Sequence, residues 1–167
     1  MHYDEKLTKY PIGTIILITD PDHDRLTVAQ VESSENTSQL ELSGIDYFEL
    51  DSKRVLTVYT ANQAFLMLMD FRSKQLKKLG VWPDYSRFMI KTTASTTAWD
   101  EWAEHNKVKV INVPVGFKEI ANIMKKIELK LAKNPDTQIV LQDVFANHIN
   151  LGTNPRLLFA GEESGGM

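Results

Sequence analysis

The sequence contains no cysteine. Disulfides and thiolate metal sites are therefore excluded, and nothing points to a secreted, disulfide-stapled scaffold. It also lacks a dominant charge: 19 Lys and Arg stand against 22 Asp and Glu, a net charge of -3. That balance gives no broad electrostatic basis for binding nucleic acid or an anionic membrane. No apolar run reaches membrane-spanning length, and the opening MHYDEKLTKYPIG is polar, without an apolar signal core. A cytoplasmic location is the default expectation. There is no internal repeat and no low-complexity tract. What is there is an ordinary globular composition: 167 residues, 43% apolar and 25% charged, which suffices for one domain, or one domain plus a piece of another, around a real core.

Short β-branched runs and longer amphipathic stretches divide the chain. TIILIT and LTVAQVE read as strands on either side of an acidic loop. The polar, turn-rich SSENTSQLELSGIDYFELDSKRVL reads as a hairpin, or as a connector with one more short strand. ANQAFLMLMDFRSKQLKKLG has helical length, with Asn62 available as N-cap and Gly80 at its far end. Its first half, residues 64–71, is apolar on nearly every side and predicts a buried helix. RFMIKTT and VKVINVPV read as strands, and between them STTAWDEWAEHN reads as a helix with Trp99, Trp102 and Ala103 on one face. In GFKEIANIMKKIELKLAKN, Ile120, Ile123, Met124, Ile127 and Leu131 recur at helical spacing and the lysines occupy the rest of the circumference. TQIVLQDVF reads as a strand, NHINLGTNP as a loop, and RLLFA as a short strand entering GEESGGM. Helices alternating with apolar strands predict an α/β class, with a three-layer α/β/α domain on a mainly parallel sheet. The chain begins just before a strand and stops inside a Gly-rich loop, from which an excised segment is expected.

Three stretches carry chemistry. In IILITDPDHDRLTV, Asp20, Asp22 and Asp24 fall at alternate positions after a strand. Two readings stand for this loop: a solvated acidic turn, or a site for a divalent cation that prefers oxygen ligands, such as magnesium. Three carboxylates over-neutralise such an ion by one charge, leaving it suited to hold metal beside a further anionic oxygen. Pro21 stiffens the loop, and Arg25 can offset the surplus charge or reach a phosphate. An EF-hand is excluded, because its sixth and twelfth positions would be Arg25 and Val31 where Gly and Glu are required. His23 reads as a loop residue pointing away. In PVGFKEI, Lys118 stands in the first turn of a helix, unfavourable for the helix dipole unless a ligand phosphate shares the site; an ordinary surface lysine is the other reading. AGEESGG places Glu162, Glu163 and Ser164 after a strand, where open α/β sheets bind ligands and where such groups suit sugar hydroxyls. A plain surface turn fits the same residues. TTAST invites a nucleophile assignment, but the histidines other than His23 are scattered, and Ser95 reads as a helix-start residue.

Taken in order, DPDHDRL (Asp20 to Leu26), VGFKEI (Val115 to Ile120) and GEESGG (Gly161 to Gly166) resemble the α-D-phosphohexomutases, the phosphoglucomutases and phosphomannomutases. The likeness extends over most of the chain from Thr14 onward. It implies residues 1–52 as the C-terminal part of that family's second domain, a partial α/β domain contributing strands and a metal loop. Residues 53–167 would be its third domain, with a sugar loop at the end. The resemblance further implies magnesium held by Asp20, Asp22 and Asp24, with Arg25 beside them. Glu162 and Ser164 would contact sugar hydroxyls, and Lys118 and Lys91 would be basic residues facing a sugar phosphate. The family's enzymes interconvert hexose 1-phosphate and hexose 6-phosphate through a phosphoserine and a bisphosphorylated sugar.

Two departures qualify that reading. The family's Thr-Ala-Ser-His-Asn-Pro serine motif is absent, since Thr93-Ala94-Ser95 continues as Thr96-Thr97, and so is the phosphate-binding loop of its fourth domain. No residue here is therefore expected to be catalytic; the chain alone is expected to be inactive, and its partners to be the remaining domains of a parent enzyme. The segment 134–156 is longer than usual for the family and has no assigned role. Two rivals remain. One is a haloacid-dehalogenase-like phosphatase, which would leave GEESGG unexplained; the other is a non-catalytic sugar- or metal-binding module.

Overall fold

The structure, a computed structural model, describes residues 9–23 and 25–165. It divides into two compact units between Ala64 and Phe65. The first unit is built on an antiparallel sheet of order β1-β2-β4-β3, with β1 (Ile15–Thr19), β2 (Leu26–Ser33), β3 (Asp46–Asp51) and β4 (Arg54–Tyr59). A short helix, α1 (Thr37–Leu42), precedes β3 and buries Leu40. The polar stretch after β2 therefore supplies a helix and a whole hairpin rather than a connector. The apolar run of β1 is not core. It lies at the sheet edge, and Ile15 and Leu17 are more than 60% exposed.

The expected division at residue 52/53 falls in the tight turn of the β3–β4 hairpin. The register Tyr47↔Thr57, Phe48↔Leu56 and Glu49↔Val55 binds the two strands into one sheet, and β4 also pairs with β2. The compact units part twelve residues later than that expectation because β4 is a central strand of the first sheet.

Helix α2 (Ala61–Lys78) starts on a reciprocal cap. The Thr60 hydroxyl accepts from Gln63 N–H at 3.3 Å, and the Gln63 side-chain oxygen accepts from Thr60 N–H at 3.0 Å. This is a capping box, so Thr60, and not Asn62, is the N-cap. The helix ends as expected at Gly80, whose φ of +73° lets Val81 N–H reach the Leu76 carbonyl and Gly80 N–H the Lys77 carbonyl. The expectation of a helix buried all round is corrected: Phe65 and Met69 are buried, while Met67, Leu68 and Phe71 are exposed. One stripe faces the core, as for any surface helix.

The second unit is a three-layer α/β/α arrangement. Its parallel sheet has the order β6-β5-β9, with β5 (Arg87–Thr92), β6 (Lys109–Val113) and β9 (Arg156–Gly161). Phe65 of α2, Trp99 of α3 (Ala98–Asn106) and Phe159 of β9 meet on one face, with ring centroids 5.1–6.2 Å apart. Trp99 is fully buried and meets Phe159 edge-on, a favoured aromatic geometry. On the other face α4 (Phe117–Lys133) lays Ile120, Ile123 and Ile127 against Phe88, Ile90, Ile111 and Val113, as its periodicity predicts.

Strand β9 carries Leu158 as an extra residue opposite β5: Leu157 pairs with Phe88 and Phe159 with Met89. A bulge frees a backbone carbonyl from the ladder. Arg72 of α2 donates to that Leu158 oxygen at 2.6 Å.

The long segment before β9 forms an antiparallel hairpin, β7 (Gln138–Gln142) with β8 (His148–Thr153). NHINLGTNP is thus largely strand, not loop. Ile139, Leu141 and Leu151 join the core beneath α4. The buried Asp143 carboxylate closes the hairpin turn by accepting from Phe145 N–H and Asn147 N–H, both at 2.9 Å.

Candidate functional site

In the first unit, the Asp20 loop closes the β1–β2 hairpin between Thr19 and Leu26, which are paired. Asp20 organises the loop. Its backbone carbonyl accepts from His23 N–H at 3.1 Å, and its Oδ1 accepts from Arg25 N–H at 3.2 Å. The Arg25 guanidinium Nε lies 3.9 Å from Asp20 Oδ2, so Arg25 does offset charge here. His23 takes a positive φ of 62° and is exposed, as is Asp22. Asp24 lies outside the described residues. Among the described residues no group of three His, Cys, Asp or Glu side chains is placed to hold a metal ion. The donors in this loop, carboxylates without sulfur or imidazole competition apart from His23, are of the hard-oxygen kind that suits magnesium.

In the second unit, three connections leave the C-terminal edge of the parallel sheet: residues 93–97 after β5, 114–116 after β6, and the Glu162 turn after β9. Gly116 holds φ +124°, a conformation an L side chain rarely adopts, and its carbonyl accepts from Glu119 N–H to start α4. Lys118 in that first turn is exposed, which both an anion-facing group and an ordinary surface lysine would be. In the last turn, Gly165 N–H donates to the Glu162 carbonyl at 3.1 Å. The Ser164 hydroxyl donates to Glu162 Oε1 at 2.6 Å, while Glu162 Oε2 is enclosed and has no hydrogen-bond partner among the described residues. A carboxylate oxygen shut away from donors is costly. The Glu162–Ser164 pair is therefore an acceptor held by its own turn and, among the described residues, short of one donor.

Lys91 does not fit the role expected for it. It is 3% exposed, and its ammonium donates to Ser95 O at 3.5 Å, to Thr96 O at 3.0 Å and to the Asp100 carboxylate. An ammonium has three N–H donors and all three are taken, so Lys91 braces the loop after β5 rather than facing a substrate. Ser95 is likewise not a helix-start residue: α3 begins at Ala98, and Thr96 Oγ1 accepts from Ala98 N–H at 3.2 Å. The Ser95 and Thr92 hydroxyls are instead 3.0 Å apart, and Thr92 Oγ1 lies 2.6 Å from Glu163 Oε2.

Behind this edge, Trp102 Nε1 donates to Asp70 at 3.3 Å, and Lys74, bonded to the same side chain, holds the Asp70 carboxyl below the usual carboxylate range. A separate cavity of about 380 Å³ opens between α4, the end of β6 and the turn after β7, lined among others by Asn112, Glu119, Lys126 and Asp143. None of the expected site residues lines it.

Residues 61–167 match the family model described as phosphoglucomutase/phosphomannomutase, alpha/beta/alpha domain III. The chain belongs to this family. Proteins named phosphoglucomutase from Staphylococcus aureus strains N315 and Mu50 / ATCC 700699 are each 27% identical over 114 residues, covering 68% of this chain and 16% of theirs. The chain thus corresponds to about one sixth of the length of these relatives. No solved structure matches it. The matched region contains the parallel sheet, α2 to α4 and the Glu162 turn, so family membership rests on the second unit. No helix among the described residues is long and apolar enough to cross a membrane.

Proposed function

We propose that this chain is the metal-loop and sugar-loop portion of a cytoplasmic phosphohexomutase, an isomerase that interconverts hexose 1-phosphate and hexose 6-phosphate through a phosphoserine carried elsewhere in the parent protein. The first compact unit belongs to the end of its second domain, and residues 61–167, the span matched to domain III, to its third. The observation that carries this reading is the Glu162 turn: a carboxylate paired with Ser164, with its second oxygen enclosed and lacking a donor among the described residues, at the C-terminal edge of a parallel sheet. Ligands of open α/β sheets bind at that edge, and a sugar offers adjacent hydroxyls to such a pair. Membership in the phosphoglucomutase/phosphomannomutase family supports the same chemistry.

In this reading Glu162 and Ser164 orient the sugar, and Lys118 attracts its phosphate. Magnesium is held by Asp20, Asp22 and Asp24, where it supplies positive charge against a phosphoryl group in transfer. Arg25 keeps the loop from carrying uncompensated negative charge. The partners are the sugar phosphate and the remaining domains of the parent chain. Because the phosphoserine and the distal phosphate loop lie outside this sequence, the chain alone does not turn over.

Two measurements test the reading. Titrating the chain with glucose 1-phosphate is expected to move the amide resonances of Glu162, Ser164 and Lys118. Glu162→Ala is expected to weaken glucose 1-phosphate about tenfold, as for a lost hydrogen bond to a charged group, and to leave inorganic phosphate unchanged. Equal weakening of both ligands removes the sugar-contact role. Incubation of the chain with glucose 1-phosphate, glucose 1,6-bisphosphate and magnesium should give no glucose 6-phosphate; its formation contradicts the division of labour described above.

A further inference from the structure

We infer that Thr92 and Ser95 are positioning residues for the Glu162 turn, acting through Glu163. This deepens the proposed function and rests on it for the identity of the ligand. Thr92 ends the central strand β5 and is completely buried; Ser95, in the following loop, is 5% exposed. Their oxygens are 3.0 Å apart, and Thr92 Oγ1 is 2.6 Å from Glu163 Oε2.

The direction of these bonds follows from the chemistry. An ionised carboxylate only accepts, so the single Thr92 proton goes to Glu163. Thr92 then has only lone pairs left for Ser95, and the Ser95 proton goes to Thr92. The result is a one-way relay, Ser95 to Thr92 to Glu163, ending on a charged acceptor, the stronger class of hydrogen bond.

The relay has a fixed base. Lys91 holds the Ser95 and Thr96 carbonyls, Ser95 N–H donates to the Thr92 carbonyl at 3.1 Å, and Thr93 N–H donates to the Val113 carbonyl at 3.0 Å. Glu163 is therefore tied to the best-anchored loop of this edge, while its neighbours Glu162 and Ser164 carry the polar groups offered to the ligand. One side chain of the turn is given to the scaffold so that the two beside it keep their place. Both hydroxyls lie outside the GEESGG stretch, and Glu163 itself contacts no ligand in this arrangement.

Amide hydrogen exchange on the 167-residue chain tests the relay directly, because Gly165 N–H closes the turn on the Glu162 carbonyl. Thr92→Val and Glu163→Ala are each expected to speed Gly165 exchange about tenfold, the loss of one charge-assisted hydrogen bond. Thr92→Ser keeps the hydroxyl donor and is expected to retain the wild-type rate, and Glu163→Gln, which keeps an acceptor oxygen without its charge, to lie between wild type and Glu163→Ala. Core amides of Ile90 and Ile111, in paired strands of the parallel sheet, serve as the folding control. If Thr92→Val loses that core protection, Glu163→Ala, altered at the less buried end of the relay, decides. Unchanged Gly165 exchange in Glu163→Ala overturns the inference, as does equal loosening by Thr92→Ser and Thr92→Val.

Glucose 1-phosphate affinity separates the two ideas. It should fall about tenfold in Thr92→Val and Glu163→Ala and stay constant in Thr92→Ser. Loosening of Gly165 in a protein that never binds glucose 1-phosphate sustains the relay and removes the proposed function. Binding that persists with Gly165 unaffected does the reverse.

Discussion

The Asp20 loop and the Glu162 turn are both short acidic segments at strand ends, yet they stand on different footings. The first closes an antiparallel hairpin next to an edge strand whose apolar side chains are largely exposed. Its order comes from the loop itself: the Asp20 carbonyl and carboxylate accept from His23 and Arg25, and a non-glycine residue takes a positive φ. The second leaves a strand packed on both sides, and the buried Thr92 hydroxyl at the end of neighbouring β5 bonds it. Asp20 spends its carboxylate on the loop's own backbone, while the Asp22 side chain is exposed. A turn anchored on a core is arranged in advance. Pre-arrangement lowers the ordering cost of binding; under the proposed function a sugar hydroxyl would use the anchored turn, and a divalent cation would itself have to order the Asp20 loop.

That contrast can be attacked from its strongest support downward. Trp99→Ala removes the buried ring beneath the second footing and should cost about 3–5 kcal/mol of stability, the usual range for an aromatic-to-alanine change in a core. Urea unfolding followed by a probe other than tryptophan fluorescence would measure it. A loss below about 1 kcal/mol would mean that the aromatic trio does not support the edge. Arg72→Ala leaves the Leu158 carbonyl without its donor and is expected to cost about 1–3 kcal/mol, read in the same experiment. The amide of Phe159 should exchange faster there, while strands β2 and β4 are unaffected. His23→Gly relieves a left-handed backbone in the first footing. Its gain should be small, under about 1 kcal/mol, with no change in the exchange of Gly165. A larger gain would show that the Asp20 loop stores strain, and would narrow the difference between the two loops.

Much of the second unit was legible in the sequence because its signals are local. The apolar period of α4 identifies Ile120, Ile123 and Ile127 without help from the fold, and Gly80 marks a helix end that a left-handed cap requires. Thr60 and Gln63 carried an equally local signal, the spacing of a capping box, which Asn62 obscured. Other features depend on partners far along the chain. The apolar face of α2 could not be bounded from residues 64–71 alone, because which side meets Trp99 and Phe159 is decided by packing. Strand β8 is hidden by Asn and Gly, and only pairing with β7 makes it a strand. Among the candidate site residues, Glu162 and Ser164 do share one turn, and Lys118 is exposed at the same sheet edge. Lys91 was misjudged because a lysine at the end of an apolar strand does not reveal whether its ammonium turns outward or folds back onto carbonyls. The partnership of Thr92 with Glu163 spans 71 positions and has no short-range signature.

The odd residue in β9 bears on how related sequences are lined up. Six residues, Arg156 to Gly161, run beside only five of β5, and Leu158 is the one without an opposite number. A homologue shortened by one at that point would still direct Phe159 and Ala160 to their present layers and deliver the following turn in phase. A deletion after it would shift the residues that follow to the opposite layers. Where a gap has to be opened in this strand, position 158 is the place that preserves the meaning of every other column.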